Sequence, residues 1–221
     1  ETVTLGIPYG AKVRLMMAFI NTEIVRKQSP VIEVADSMTA FIKNDLNLDT
    51  NGRTIRQVKE QLSRLAASIV SISFADAETG RVQRVDNKIV KGYDLWFPKS
   101  PDQKTFWSSE IHVTDDYAKS LLEHVVPLDM RAVAALSNNP MTLDIYTWLA
   151  YRLHRVPRNK PVFIPWAAAY EQFGFGYSKI RQFRTAFLKN LQQVKLVYPD
   201  AKLEVADHKD SKMPAGLVLY S

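Results

Sequence analysis

The stretch GFGYSKIRQFRTAFLKNL, residues 174–191, decides how the second half of this chain is interpreted. Its apolar residues recur every three or four positions, which is the spacing of one face of an α-helix. The pattern continues to Val194 and predicts a helix over residues 178–194, with Gly174 and Gly176 in the turn before it. The apolar residues that define the inner face are Ile180, Phe183, Phe187, Leu191 and Val194.

This helix lies in an unusually basic window. No Asp or Glu occurs between Glu171 and Asp200, whereas five basic residues do. Across residues 1–128 the basic and acidic residues balance at sixteen each, so the whole net charge of +6 falls in residues 129–221. A local basic surface suits a polyanionic partner, although a single basic helix is often only a solvated face. The five basic residues are Lys179, Arg181, Arg184, Lys189 and Lys195.

A second copy of the pattern lies upstream, in NGRTIRQVKEQLSRL, residues 51–65. At an offset of 125 positions the two copies share the letters IRQ and their apolar residues coincide, which predicts an internal duplication. We expect Ile55 and Ile180 to be the same inward-facing position, with Gln57 and Gln182 facing outward. The other expected equivalences are Val58 with Phe183, Leu62 with Phe187, Ile69 with Val194, and Ile72 with Val197.

The order of predicted elements is similar in the two halves. The first half reads as a helix at 11–28, a strand in PVIEV, a short helix at 35–46, a helix at 53–69, and β segments at 69–74, 81–97 and 104–113, closed by a helix at 115–124. The second reads as helices at 129–136 and 141–155, a strand in KPVFI, a short helix in PWAAAYEQF, the helix at 178–194, and strands in KLVYP, KLEV and GLVLY. These segments predict an α+β protein of two tandem winged-helix domains, residues 1–125 and 126–221.

In a winged helix the third helix can enter the major groove of DNA while the hairpin contacts the backbone. The second such helix offers Lys179, Arg181, Gln182, Arg184, Thr185 and Lys189. Arg can read guanine with its forked donors, and Gln can read adenine. The first copy offers Arg53, Arg56 and Lys59, but the nearby Glu60 weakens its attraction for phosphate. We therefore predict that the second domain reads DNA and that the first contacts the DNA backbone or other proteins.

Several kinds of chemistry find no support in the sequence. There is no P-loop pattern, the four histidines lack the spacing of metal ligands, and the chain has no cysteine. We therefore predict no enzymatic activity, no metal and no cofactor. No apolar run approaches the ~20 residues of a membrane span, and the absence of cysteine fits a reducing cytoplasm. The absence of an initiator Met leads us to expect a fragment. Four aromatic residues have the chemistry to stack on bases of single-stranded DNA, but we favour core or hairpin packing because they lie on two adjacent β segments: Trp96, Phe97, Phe106 and Trp107.

With these residues in view, the chain resembles the RepA-type plasmid replication initiators. The resemblance is carried by YDLWFPKSP (93–101), WSSEIHVTDDYAKSLLEHVVPLDMRAVAAL (107–136), NNPMTLDIYTWLAYRLHR (138–155) and QFGFGYSKIRQFRTAFLKNL (172–191). It implies tandem winged helices that bind repeated origin sequences (iterons), help to open AT-rich DNA, and recruit host replication proteins such as the helicase in the bacterial cytoplasm. It also implies a possible homodimer formed through the first domain, and DNA reading by residues 177–190.

The candidate DNA-contacting residues are Arg53, Arg56, Lys59, Tyr177, Ser178, Lys179, Arg181, Gln182, Arg184, Thr185, Lys189 and, in the segment between the last two strands, Lys209 and Lys212. Two other functions stay open from the residues alone. One is a winged-helix transcriptional regulator, and the other is a module for protein–protein assembly.

Overall fold

The computed structural model of the protein describes residues 4–34, 37–75, 82–94, 109–206 and 215–221. The chain divides into two compact units, Glu1–Val125 and Val126–Ser221, called unit 1 and unit 2 below. Both combine helices with small antiparallel sheets, as the α+β prediction requires.

The first helix of unit 1 buries its apolar face, which includes Met16, Ile20 and Ile24. This helix ends at the left-handed residue Gln28, whose N–H donates to the Ile24 carbonyl. Two later helices start at side-chain caps: Ser37 accepts from the Ala40 amide, and Asn51 accepts from the Thr54 amide. The elements are α1 (Gly10–Lys27), β1 (Val31–Val34), α2 (Met38–Ala40) continuing as a π-helical turn (Phe41–Asp45), α3 (Gly52–Ala67), β2 (Val70–Ala75), β3 (Val82–Asn87), β4 (Val90–Asp94), β5 (Ser109–Val113) and α4 (Asp115–Glu123).

The strands of unit 1 form two sheets. β1, β5 and β4 make an antiparallel sheet in the order β1-β5-β4, and β2 pairs with β3 in a separate hairpin. The β segment predicted over 81–97 is divided within its described part, residues 82–94, into β3 and β4, because the chain changes sheet at Lys88 and Ile89. Val90 then pairs with Val113 and is fully buried. That burial, which depends on the distant β5, outweighs the local continuity of the sequence.

Unit 2 has the element order of a winged helix. After α5 (Met130–Ala135) come α6 (Pro140–Leu153), β6 (Val162–Pro165), α7 (Trp166–Phe173), α8 (Ile180–Val197), β7 (Leu203–Ala206) and β8 (Gly216–Leu219). The sheet order is β6-β8-β7, with both pairings antiparallel. The predicted winged-helix fold is thus present.

The end of α8 differs from the prediction. The segment KLVYP was predicted to be a strand, but Lys195–Val197 form the last turn of the helix. Val194 is fully buried and continues the inner face, and the Tyr198 amide still donates to its carbonyl at 2.9 Å. The helix stops just before Pro199, which could not continue it. Continued burial of one helix face therefore outweighed the β preference of the local residues.

Aromatic rings fill the core of unit 2. Phe183 and Phe187 of α8 are fully buried and pack against each other with ring centroids 5.5 Å apart. Trp166, the first residue of α7, meets Phe187 edge-on at 5.6 Å. These contacts fix the rotation of α8 about its axis, and so determine which of its side chains face solvent.

The predicted duplication holds for the element order and for part of the core. Val58 and Leu62 of α3 are buried, as are their expected equivalents Phe183 and Phe187. The other equivalences fail. Ile180 is 43% exposed and Ile55 is half-buried, so they are not a shared core position. Ile69 is 66% exposed beyond the end of α3, whereas Val194 is buried, and Ile72 is a strand residue whereas Val197 is helical. The last two equivalences fail because α3 ends at Ala67, five positions before the point that corresponds to the end of α8 at Val197.

Candidate nucleic-acid interface

One side of α8 faces solvent along the whole helix. Because Phe183, Phe187 and Leu191 are buried on one side, residues about 180° away around the helix axis must point outward. The exposed residues on this outer face are Arg181, Gln182, Thr185, Lys189, Gln192 and Leu196. The first four were sequence candidates. Gln192 was missed, although its spacing from Lys189 was available as a signal.

The outer face and Lys179, the residue just before α8, are positively charged, and no acidic residue in the described part of the chain pairs with them. Lys179, Arg181 and Lys189 are exposed and form no salt bridge with any residue in the described part of the chain. The Thr185 hydroxyl donates to the Arg181 carbonyl at 3.1 Å and so is already engaged within the helix. This arrangement leaves three cations free to meet an anionic partner.

Arg184 differs from its neighbours. It is half-buried, and its guanidinium carbon lies 5.4 Å from the centroid of the Trp166 ring. A cation over an aromatic face is attracted by the negative face of the ring. The structure therefore places Arg184 at the edge of the basic face, where it also ties α8 to α7.

The turn before α8 is held by side chains of the core. The Tyr170 hydroxyl donates to the Tyr177 carbonyl, and the half-buried Tyr177 ring packs edge-on against Phe183 with centroids 5.8 Å apart. Tyr177 thus packs against the core, with part of it still accessible. Ser178 is exposed, and its hydroxyl lies 3.4 Å from Oε1 of Gln182, at the outer limit of a hydrogen bond.

The equivalent helix of unit 1, α3, presents a smaller basic face. Arg53 and Arg56 are exposed near its start, and Lys59 is half-buried. Further along, Arg64 pairs with Glu60 at 2.5 Å, so these two charges compensate each other.

The segment before α1 lies against this later part of α3. The Tyr9 amide donates to Oε1 of Gln61 at 2.7 Å, and Arg64 donates to the Ile7 carbonyl at 3.2 Å while lying 5.0 Å from the centroid of the Tyr9 ring. No local signal in the sequence indicated this contact. It leaves the start of α3, with Arg53 and Arg56, as its accessible basic part.

The remaining candidates are placed as follows. Lys209 and Lys212 lie outside the described residues, as do Trp96, Phe97, Phe106 and Trp107. Among the described residues no cluster of His, Asp or Glu could hold a metal ion. In the same part of the chain, no helix is long and apolar enough to cross a lipid bilayer.

The chain has two winged-helix units, and α8 of the second carries a basic face without acidic residues. This arrangement defines a protein of the tandem winged-helix class. Comparison with known proteins is more specific. Residues 7–167 match the family described as "Plasmid encoded RepA protein", and the chain belongs to that family of replication initiators. The matched region ends before α8, so the basic face itself lies outside it.

Solved structures of RctB domains share the fold. A crystal structure of the RctB domains 2-3 superposes with a TM-score of 0.57 at 7% identity, covering 96% of this chain and 82% of that one. A second, of selenomethionine derivatives of domain 2 and domain 3 of RctB, gives a TM-score of 0.56 at 8% identity, covering 95% and 81%. At this identity the likeness concerns the fold alone. None of the curated proteins compared with the chain matches it.

Proposed function

We propose that this initiator binds repeated duplex sequences (iterons) in a plasmid origin, and that the outer face of α8 reads them in the major groove. The observation that carries the proposal is the run of exposed cations with Gln182 between them, none of which pairs with an acidic residue in the described ranges. Arg181 has the forked donors that suit guanine, and Gln182 has the amide that suits adenine. Lys179 and Lys189 supply the phosphate attraction that dominates affinity for DNA.

A salt series tests this proposal directly. Binding of the protein to an origin repeat and to a scrambled duplex is measured by fluorescence anisotropy at several salt concentrations. In the variant Lys179→Ala/Arg181→Ala/Lys189→Ala the magnitude of the slope of log K against log salt should fall by about 1.8, since the two lysines each make a phosphate contact that contributes ~0.9. Loss of Arg181 should in addition lower the preference for the origin repeat. Arg184 is left in place because it packs on Trp166.

The matched control removes the same charge from elsewhere in unit 2. The variant Arg152→Ala/Arg158→Ala/Lys160→Ala changes three exposed basic residues that lie outside α8. It should keep the preference for the origin repeat and most of the salt slope. If the α8 variant and this control lose the same affinity, general charge is responsible and α8 is not the reading helix.

In this proposal unit 1 provides the surface for assembly with other proteins. Its described residues include several large apolar side chains that are exposed: Leu5, Ile7, Tyr9, Ile69, Val70 and Val85. Val70 and Val85 belong to the β2–β3 hairpin and Ile69 precedes it, and an apolar patch on that hairpin would suit a protein contact. We assign unit 1 to homodimer formation, to contacts with the DNA backbone through Arg53 and Arg56, and to contacts with host replication proteins such as the helicase. Sedimentation of the protein with and without Ile69→Lys would test the dimer contact.

In this proposal these contacts open the adjacent AT-rich DNA in the bacterial cytoplasm. The protein itself catalyses no step. A winged-helix transcriptional regulator would use the same reading helix. Replication of an origin plasmid supplied with the α8 variant separates the two functions. An initiator variant should fail to maintain the plasmid, whereas a pure regulator would alter only expression.

A further inference from the structure

The turn between α7 and α8 holds an aromatic ring in solvent. Phe175 is 97% exposed, the highest exposure among the large hydrophobic side chains of the described residues. A ring left in water gains nothing from burial and so contributes little to the fold. Its neighbours in the turn, by contrast, are tightly held.

The backbone of the turn fixes the direction in which the side chain of Phe175 leaves the chain. The Tyr177 amide donates to the Gly174 carbonyl at 3.0 Å, and Gly176 has φ +90°, as the third residue of a type II turn requires. A Cβ on Gly174 would lie 2.4 Å from the Tyr170 carbonyl oxygen, so no larger residue fits there. Phe175 therefore lies between two positions that need glycine, and its backbone position is set before any partner arrives.

The surroundings of the ring indicate the kind of partner. Phe175 shortly precedes the exposed Ser178, Lys179 and Arg181, at the N-terminal end of α8. When such a helix enters the major groove, the residues at this end contact base edges. Glu171 is the nearest acidic residue in the sequence, on α7, and none follows until Asp200. An apolar ring beside uncompensated cations suits a partner that is anionic overall and has apolar groups between its charges.

We propose that Phe175 is a specificity-determining residue that packs against the C5-methyl groups of thymine in the major groove. This inference rests on the proposed binding of duplex DNA by α8. The thymine methyl is the apolar group exposed on the major-groove edges of the bases, and Phe is among the side chains that contact it. The ring neutralises no phosphate, so it adds sequence preference without adding to the salt dependence of binding.

The test is a parallel selection of duplexes from a random library by the wild-type protein, Phe175→Ala and Phe175→Leu. The wild type should enrich thymine at one or two positions that Phe175→Ala leaves random, and Phe175→Leu should keep part of the preference. On the selected duplex, replacing those thymines by deoxyuridine should weaken wild-type binding about fourfold per methyl, the value of one buried methyl group. Phe175→Ala should be insensitive to that replacement and keep the wild-type salt slope.

Leu196→Ala is the matched control, because Leu196 is also an exposed apolar residue, 84% accessible, on the same helix. It lies about 24 Å along the helix axis from Ile180, at 1.5 Å per residue, and so far from the end of α8 that contacts base edges. It should leave binding unchanged. The urea midpoint of Phe175→Ala should equal that of the wild type, which separates a DNA contact from a structural role.

The possible failures are distinguishable. If the wild type enriches no sequence, the proposed DNA-reading function fails and this inference fails with it. If the wild type enriches a sequence and Phe175→Ala enriches the same thymines with equal affinity, this inference alone is overturned, and the ring serves a protein contact. Equal loss of affinity on thymine and deoxyuridine duplexes also overturns it, since the contact would then be with the sugar.

Discussion

Lys189 and Gln182 lie on the same face of α8 but should affect DNA binding in different ways. Lys189 is exposed and has no ion-pair partner in the described part of the chain, so replacing it removes one positive charge and disturbs no packing. Lys189→Gln also conserves helix propensity, because the two residues rank together. The whole effect of this substitution should therefore appear in the interaction with DNA.

The expected size follows from counterion release. Losing one phosphate contact should lower the magnitude of the salt slope by about 0.9. Between 50 and 200 mM salt, wild-type affinity should therefore fall about 3.5-fold more than that of the variant. The ratio of specific to non-specific affinity should stay unchanged, since phosphates carry no sequence information.

Gln182→Ala should show the opposite behaviour. Loss of a base contact should cost ~1–3 kcal/mol on the specific site and nothing on scrambled DNA, with the salt slope preserved. Anisotropy titrations of both variants on both duplexes, each at several salt concentrations, provide the comparison. If Lys189→Gln reduces specificity at constant slope, or Gln182→Ala lowers the slope, then the proposed docking of α8 is wrong.

Two further predictions concern the fold that presents this face. Phe187→Ala should lower the free energy of unfolding by ~3–5 kcal/mol, because a fully buried ring is lost from the aromatic core; urea denaturation of the full chain measures it, and a loss below ~1 kcal/mol would contradict the packing described. Asp129 accepts hydrogen bonds from the Arg131 side chain and amide, which hold the pKa of its carboxyl below the ordinary 3.8. A lowered folded pKa stabilises the protein above the ordinary pKa, and this stabilisation is lost as the pH falls through the folded value. Asp129→Asn should therefore flatten the decline of the urea midpoint below about pH 4, and an unchanged decline would show that the pair does not contribute.

The sequence by itself was sufficient for most of unit 2. The order helix, strand, helix, helix, strand, strand follows from hydrophobic periodicity and from Gly and Pro positions, which are local properties. The outer face of α8 followed equally well, because the burial of Phe183 and Phe187 could be inferred from spacing and the absence of acids could be counted. The resemblance to RepA-type initiators, read from short motifs, was confirmed by the family match.

Local patterns were less reliable at the ends of elements. The strand predicted in KLVYP and the equivalence of Ile69 with Val194 both failed because the lengths of α3 and α8 depend on how far each helix remains packed. Periodicity shows which face is buried, but it does not show where the supporting core stops. For the same reason Ile180, at the very start of α8, kept the right spacing but not the burial of a core residue.

The tertiary structure alone decided the features that join distant parts of the chain. β4 pairs with β5 across a long connection, Arg184 lies over Trp166, and the segment at Tyr9 lies along α3 some fifty residues later. Each contact depends on which surfaces the folded core brings together, and no local pattern encodes that. The sequence thus determined that α8 carries a basic face. The structure determined that Lys179, Arg181 and Lys189 are exposed there and have no ion-pair partner in the described part of the chain. Part of the matching face of α3 is instead occupied by the segment before α1 and by the Arg64–Glu60 pair.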